Sequence, residues 1–128
     1  MFIKTTMIML LLHLFADYTL QGILAQMKQK KWWLKQCSDN GYDFLKYKRD
    51  YITSLACHAL YWTILTFAPL WMVMSNPHGI LAVVLFNTIA HAFIDDLKAN
   101  KELITLEHDQ LLHLAQIIVT QLIVWPFI

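Results

Sequence analysis

Histidine and aspartate stand four residues apart three times in this 128-residue chain, as His13/Asp17, His91/Asp95 and, in reverse order, Asp109/His113. On a helix that spacing stacks both side chains on one face. Each pair lies in or at the edge of a long apolar run, and a fourth imidazole, His58, sits alone in another. Ionisable groups are costly to insert there, so they usually face a bundle interior to bind an ion, relay protons or do chemistry. The donors His13, Asp17, His58, His91, Asp95, Asp109 and His113 suit Zn²⁺, Mn²⁺ or Fe²⁺ and outnumber the needs of one tetrahedral ion. One or two divalent transition-metal ions are therefore expected. A pair of ions would activate a water and stabilise the leaving oxygen of a phosphoester.

Further polar residues extend these faces. Gln21 completes His-x3-Asp-x3-Gln, and Lys98 completes His-x3-Asp-x2-Lys. An amide can orient a carboxylate or water. An ammonium can hold a phosphate, although a lysine at a helix end can equally snorkel. Gln110 adjoins Asp109 but lies about 100° around the helix. Asp96, His78 and His108 read as surface or loop residues, and Trp62, Trp71, Phe86, Phe93 and Trp125 as packing and interface anchors. A competing reading of the His/Asp pairs is that they are hydrogen-bonded couples that only fasten helices.

The elements that must position these groups are helices. The chain is 58% hydrophobic with a mean hydropathy of +0.46, above the usual soluble range, which points to one integral membrane domain over 1–128. Apolar segments at 5–27, 51–74, 80–97 and 109–128 predict an all-α fold, a compact membrane bundle of about four helices with no strand. Pro69 should kink or end the second helix, and Asn76-Pro77-His78-Gly79 reads as a turn. Cys37 and Cys57 show no metal-finger or disulfide spacing and read as free thiols. Lys4 ahead of an apolar run is reminiscent of a signal peptide, but no clear small-residue cleavage site follows, so a retained first helix is expected.

Seven of the ten basic residues, Lys28, Lys30, Lys31, Lys35, Lys46, Lys48 and Arg49, crowd between Met27 and Tyr51. Asp39, Asp43 and Asp50 are interspersed, which argues for a solvated segment beside the membrane, 28–50, and against nucleic-acid binding. Trp32, Trp33 and Asn40-Gly41 make it an interfacial hairpin or a short amphipathic helix. The positive-inside rule puts this segment in the cytoplasm, and four crossings return 98–108 to the same side. Counted at 1.5 Å per residue, Asp17 and His58 then lie roughly 10 to 15 Å deep, and His91, Asp95, Asp109 and His113 within roughly 9 Å of the same boundary. All four helices bring polar residues to overlapping depth in the cytoplasmic half.

The combination resembles a family of small membrane proteins from bacteria and phages known as a domain of unknown function. The resemblance rests on His13-Leu-Phe-Ala-Asp17-Tyr-Thr-Leu-Gln21, the lone helical His58, His91-Ala-Phe-Ile-Asp95-Asp-Leu-Lys98 and Asp109-Gln110-Leu-Leu-His113, in the same order along nearly the whole chain. It implies an integral helical protein of the bacterial inner membrane and marks Gln21, Lys98 and Gln110 as pattern residues. The motifs are also distantly similar to membrane-bound metal-dependent hydrolases. The leading expectation is metal-assisted hydrolysis of an ester or phosphoester, lipid-linked phosphates being natural candidates. Asp17, Asp95 and Asp109 would be ligands or the general base, and Lys98 would neutralise substrate charge. Alternatives are transport or sensing of metal ions or protons, and a structural or partner-binding membrane protein. Membrane lipid is the expected partner, with self-association open and no Gly-xxx-Gly motif to mark a face.

Overall fold

The computed structural model describes residues 1–128, and they are all-helical with no strand. Helix α1 (Phe2–Leu14) runs directly into a π-helical segment, Phe15–Leu20. There follow α2 (Leu24–Met27), α3 (Lys30–Asn40), α4 (Phe44–Tyr47), α5 (Asp50–Thr66), α6 (Ala68–Trp71), α7 (Pro77–Ala99), α8 (Leu106–Val124) and a closing 3₁₀ turn, Trp125–Phe127. The four long helices form a ring: α5 lies between α1 and α7, and α8 between α7 and α1. Contacts run in opposite directions along neighbouring helices. His13 meets Trp62 while Asp17 faces His58, Trp62 stacks on His91 while His58 faces Asp95, Lys98 meets Asp109 while Asn87 meets Thr120, and His13 late in α1 meets Gln110 early in α8, so adjacent helices are antiparallel.

Local chemistry explains where the elements depart from the expected 5–27, 51–74, 80–97 and 109–128. The first helix stops at Leu20, and Gly22, at φ +50°, redirects the chain in a conformation that L side chains rarely adopt. Pro69 sits in the first turn of α6, where its missing N–H does no harm, and the ladder of α5 breaks at Phe67. The expected turn at 76–79 is instead a helix start. Asn76 caps it by accepting a hydrogen bond from the His78 amide at 3.0 Å, and Pro77 is preset for N1. The third segment is therefore the longest helix, not a short one. Thr105 caps α8 in the same way, through the His108 amide, so the last helix begins three residues before Asp109. Asn40-Gly41 closes α3, where Gly41 at φ +69° lets the Tyr42 amide reach the Cys37 carbonyl at 2.9 Å.

The polarity of the packing is inverted. Of 26 buried residues, fifteen are polar or charged, while Ile3, Met7 and Leu11 of α1, Leu85, Ile89 and Phe93 of α7, and Val119 and Leu122 of α8 face outward. Water would favour the reverse arrangement. Phe2–Leu20, Pro77–Ala99 and Leu106–Phe127 are each long and apolar enough to cross a membrane, which fits association with a bilayer. Helix α5 has 17 residues and continues after one intervening residue into α6. The apolar core, Met9, Ala16, Trp62, Phe67, Leu70, Val83, Ile117 and Val124, lies mostly in one half of the ring, with Ala16 and Trp62 reaching the polar cluster. The His/Asp pairs fill the other.

Candidate metal centre

Each long helix delivers one row of the cluster. Helix α1 and its π segment bring His13 and Asp17, α5 brings His58 and Trp62, α7 brings His91 and Asp95, and α8 brings Asp109 and His113, all of them buried. The π segment matters at Asp17. Its wider turns are a frequent feature of functional sites, because the extra residue re-aims side chains at a cost in regular hydrogen bonding.

Two groups of donors emerge. Around Asp95 Oδ2 stand His58 Nε2 at 3.3 Å and His91 Nε2 at 3.7 Å. These two nitrogens are themselves 3.3 Å apart, and His58 Nε2 lies 3.7 Å from Asp17 Oδ1. Donors bound to a tetrahedral zinc at 2.0 to 2.1 Å are separated by about 3.3 Å, so His58, His91 and Asp95 are spaced close to what one ion requires, with Asp17 adjoining through His58. On the other side of the Asp95 carboxylate, Oδ1 is 3.3 Å from His113 Nε2, which is in turn 3.5 Å from Asp109 Oδ1. Asp17/His58/His91 and His91/Asp95/His113 each bring donor atoms within 4.8 Å of one another. These buried groups could hold a metal ion, and Asp95 lies between them with one oxygen turned to each.

The proton inventory is consistent with donors aimed inward. Asp17 Oδ1 and Asp109 Oδ1 are buried without hydrogen-bond partners, which is costly unless some other partner is met there. His13 is arranged differently. The indole N–H of Trp62 can only donate, so at 3.0 Å it makes His13 Nδ1 an acceptor, and His13 Nε2–H is left for Gln110 Oε1 at 3.2 Å. The Gln110 amide nitrogen then donates to Asp17 Oδ2 at 3.2 Å and Asp109 Oδ2 at 3.1 Å. Both nitrogens of His13 are thus engaged, and it supports the cluster from beside it. Gln110 ties the carboxylates of α1 and α8.

Charge is only partly balanced. Lys28 Nζ donates to Asp95 Oδ2 at 2.6 Å, and Lys98 Nζ to Asp109 Oδ2 at 2.5 Å. Asp17 has no lysine, only His58 Nε2 at 3.7 Å, since the His13 nitrogen 3.8 Å away is the one that accepts from Trp62. A buried carboxylate needs a counter-charge, which a protonated imidazole or a bound cation would supply.

Gln21 does not reach the cluster through its amide nitrogen, which bonds the backbone carbonyl of Asp17 one turn back. Asp96 instead accepts from Asn100 at 2.9 Å and pairs with Lys101 at 3.3 Å, while His78 and His108 are exposed. Two central roles went unread. Trp62 packs, as expected, but in the core rather than at an interface: it is fully buried and stacks on His91, with ring centroids 3.9 Å apart. Its spacing of four from His58 was the available signal. Lys28 is 6% exposed and turned inward, and nothing in the sequence separates it from Lys30 or Lys31.

Comparison of the chain with protein-family models, with curated proteins and with solved structures found no match.

Proposed function

We propose that this chain is an integral membrane metalloenzyme that hydrolyses an ester or phosphoester, lipid-linked phosphates being the favoured substrates. The observation that carries the reading is a set of three buried donors, His58, His91 and Asp95, at 3.3 to 3.7 Å from one another, with the Asp17 carboxylate beside His58 and lysines on Asp95 and Asp109. In this reading α1, α5 with α6, α7 and α8 cross the bilayer, and the basic connection from Gly22 to Arg49 lies in the cytoplasm. The centre then occupies the cytoplasmic half of a bacterial inner membrane, in keeping with the resemblance of its motifs to the small membrane protein family.

The division of labour follows from the contacts. His58, His91 and Asp95 would hold a Zn²⁺, Mn²⁺ or Fe²⁺ ion, and His113 with Asp109 would provide donors for a second; the chemistry such an ion would supply is a water of lowered pKa and a polarised substrate oxygen. Asp17, with one oxygen unpartnered, accepts the proton as the water oxygen bonds to phosphorus. The ester P–O bond breaks, and the departing oxygen takes from Asp17 the proton that the water gave up. Lys98, 27% exposed at its side chain, offsets the phosphate charge.

The test is incubation of purified, detergent-solubilised protein, loaded in turn with Zn²⁺, Mn²⁺ or Fe²⁺, with a panel of lipid-linked phosphoesters, beside His91→Ala and Asp95→Asn. Metal-dependent release of phosphate or alcohol that both variants lack is expected. Equal turnover in wild type and both variants would refute the assignment.

A second reading, ion or proton transport, draws on the other half of the ring. There Asn87 Oδ1 accepts from Gln116 and Thr120, both at 2.9 Å, and Gln121 accepts from Thr6 at 2.6 Å. Thr63 and Thr66 are buried with hydroxyls that have no partner. Such a row is a route for protons across an otherwise apolar core, and pH-driven flux into protein-containing vesicles would distinguish transport from hydrolysis.

A further inference from the structure

Lys28 is set apart from every other basic residue of its segment. Lys30, Lys31, Lys35, Lys46, Lys48 and Arg49 are all exposed, whereas Lys28 is 6% exposed and reaches into the centre. Its backbone is held on the end of α7. The Asn100 side chain donates to the Lys28 carbonyl at 3.1 Å and accepts from the Lys30 amide at 2.7 Å. The Trp33 indole secures the neighbouring Met27 carbonyl at 2.7 Å. This clasp fixes where the lysine stem begins, leaving the four-carbon side chain to decide where the ammonium goes.

The ammonium sits 2.6 Å from Asp95 Oδ2, the oxygen that His58 Nε2 and His91 Nε2 also face. It therefore stands against the donor set best spaced for an ion. Lys98 pairs with Asp109 Oδ2, outside that set. An ammonium and a divalent cation cannot both lie on one buried carboxylate oxygen without strong repulsion. Lys28 can yield, because its long stem lets the charged end lift toward the polar boundary.

We infer that Lys28 is a built-in competitor for the metal: its ammonium and a divalent ion exchange at Asp95 Oδ2, and ion uptake releases Lys28 toward anionic phosphate at the mouth of the site. This rests on the metal reading of the centre. It assigns Lys28 a positioning role that couples ion occupancy to the interfacial segment around α2 and α3. It also makes the site harder to fill with metal while substrate-binding charge is stored inside.

The experiment uses Zn²⁺ as the probe. Purified full-length protein is treated with an amine-acetylating reagent with and without Zn²⁺, and acetylation of each lysine is followed by mass spectrometry. Zn²⁺ affinity is measured in parallel for wild type and Lys28→Met. Acetylation of Lys28 should rise about ten-fold on Zn²⁺ addition while the exposed lysines stay constant. Zn²⁺ should bind Lys28→Met about ten-fold more tightly, as when the ammonium fills the site nine-tenths of the time. Binding by the variant alone also supports competition. Zn²⁺ bound by wild type with Lys28 still protected, or with variant affinity within two-fold, would overturn the inference and leave the metal centre standing. No Zn²⁺ bound by either protein would overturn both. The labelling arm uses wild type and is informative even where Lys28→Met does not fold.

Discussion

Asp95→Asn is the sharpest perturbation of the centre, because both oxygens of this carboxylate are in use. Oδ1 faces His113 at 3.3 Å, and Oδ2 accepts from Lys28 at 2.6 Å and faces His58 at 3.3 Å. The amide keeps the shape and removes the charge, stranding a nearly buried ammonium. Breaking a buried pair by removing one partner costs about 3 to 5 kcal/mol. Lys28 can lift its charged end, which places the expected loss near the low end, about 3 kcal/mol. For a chain of this length about 3 °C accompanies each kcal/mol, so melting should fall by about 10 °C. Restoring neutrality with Asp95→Asn/Lys28→Met should recover at least about 2 kcal/mol, because the two sites are in contact and couple. The assay is thermal unfolding in detergent by circular dichroism with chelator present, which keeps ion binding out of the comparison. A single variant melting within about 2 °C of wild type, or a double variant no better than the single, would refute the pairing argument.

Gln110→Leu removes the bridge between His13, Asp17 and Asp109, leaving the His13 Nε2–H without an acceptor, and should lower stability by about 2 kcal/mol in the same assay. Elemental analysis should find metal retained in His13→Ala, whose nitrogens are engaged by Trp62 and Gln110, and lost in His91→Ala; the reverse pattern would overturn the donor assignment. Imidazoles must be unprotonated to bind metal, so Zn²⁺ affinity by calorimetry should fall as pH drops from about 7 to 5, and a flat profile would exclude histidine ligation. If protons cross through the outer half, Asn87→Ala should abolish pH-driven flux in vesicles while leaving metal content unchanged.

What could be read from the chain alone tracks the period of the helix. The four-residue His/Asp spacing put each pair on one face, and the structure brings those faces together from three helices, with His58 joining them from a fourth. The all-helical class followed from long apolar runs without strand-like alternation. Breaks were less legible. Pro69 announced one, but the stop at Leu20 comes from a π segment and a positive-φ Gly22, neither of which a hydropathy pattern encodes. Asn76-Pro77 is ambiguous in principle, because a turn and a capped helix start use the same residues. Lys28 was invisible because its inward course depends on Asn100, 72 residues away. The role of Gln110 arises between helices, since its amide bridges His13 and Asp17 of the first helix to Asp109 on α8.

The ring closes between its two ends. Gln121 of α8 donates to the Phe2 carbonyl at 3.0 Å, Trp125 meets the Phe2 ring edge-on at 5.1 Å, and Gln110 reaches His13 and Asp17. Helix α1 is made before α8, so His13 and Asp17 lack the Gln110 bridge until α8 has formed. Assembly of the cluster is thereby tied to docking of α8 against α1, and a chain cut before Gln110 would leave Asp17 Oδ2 without that donor.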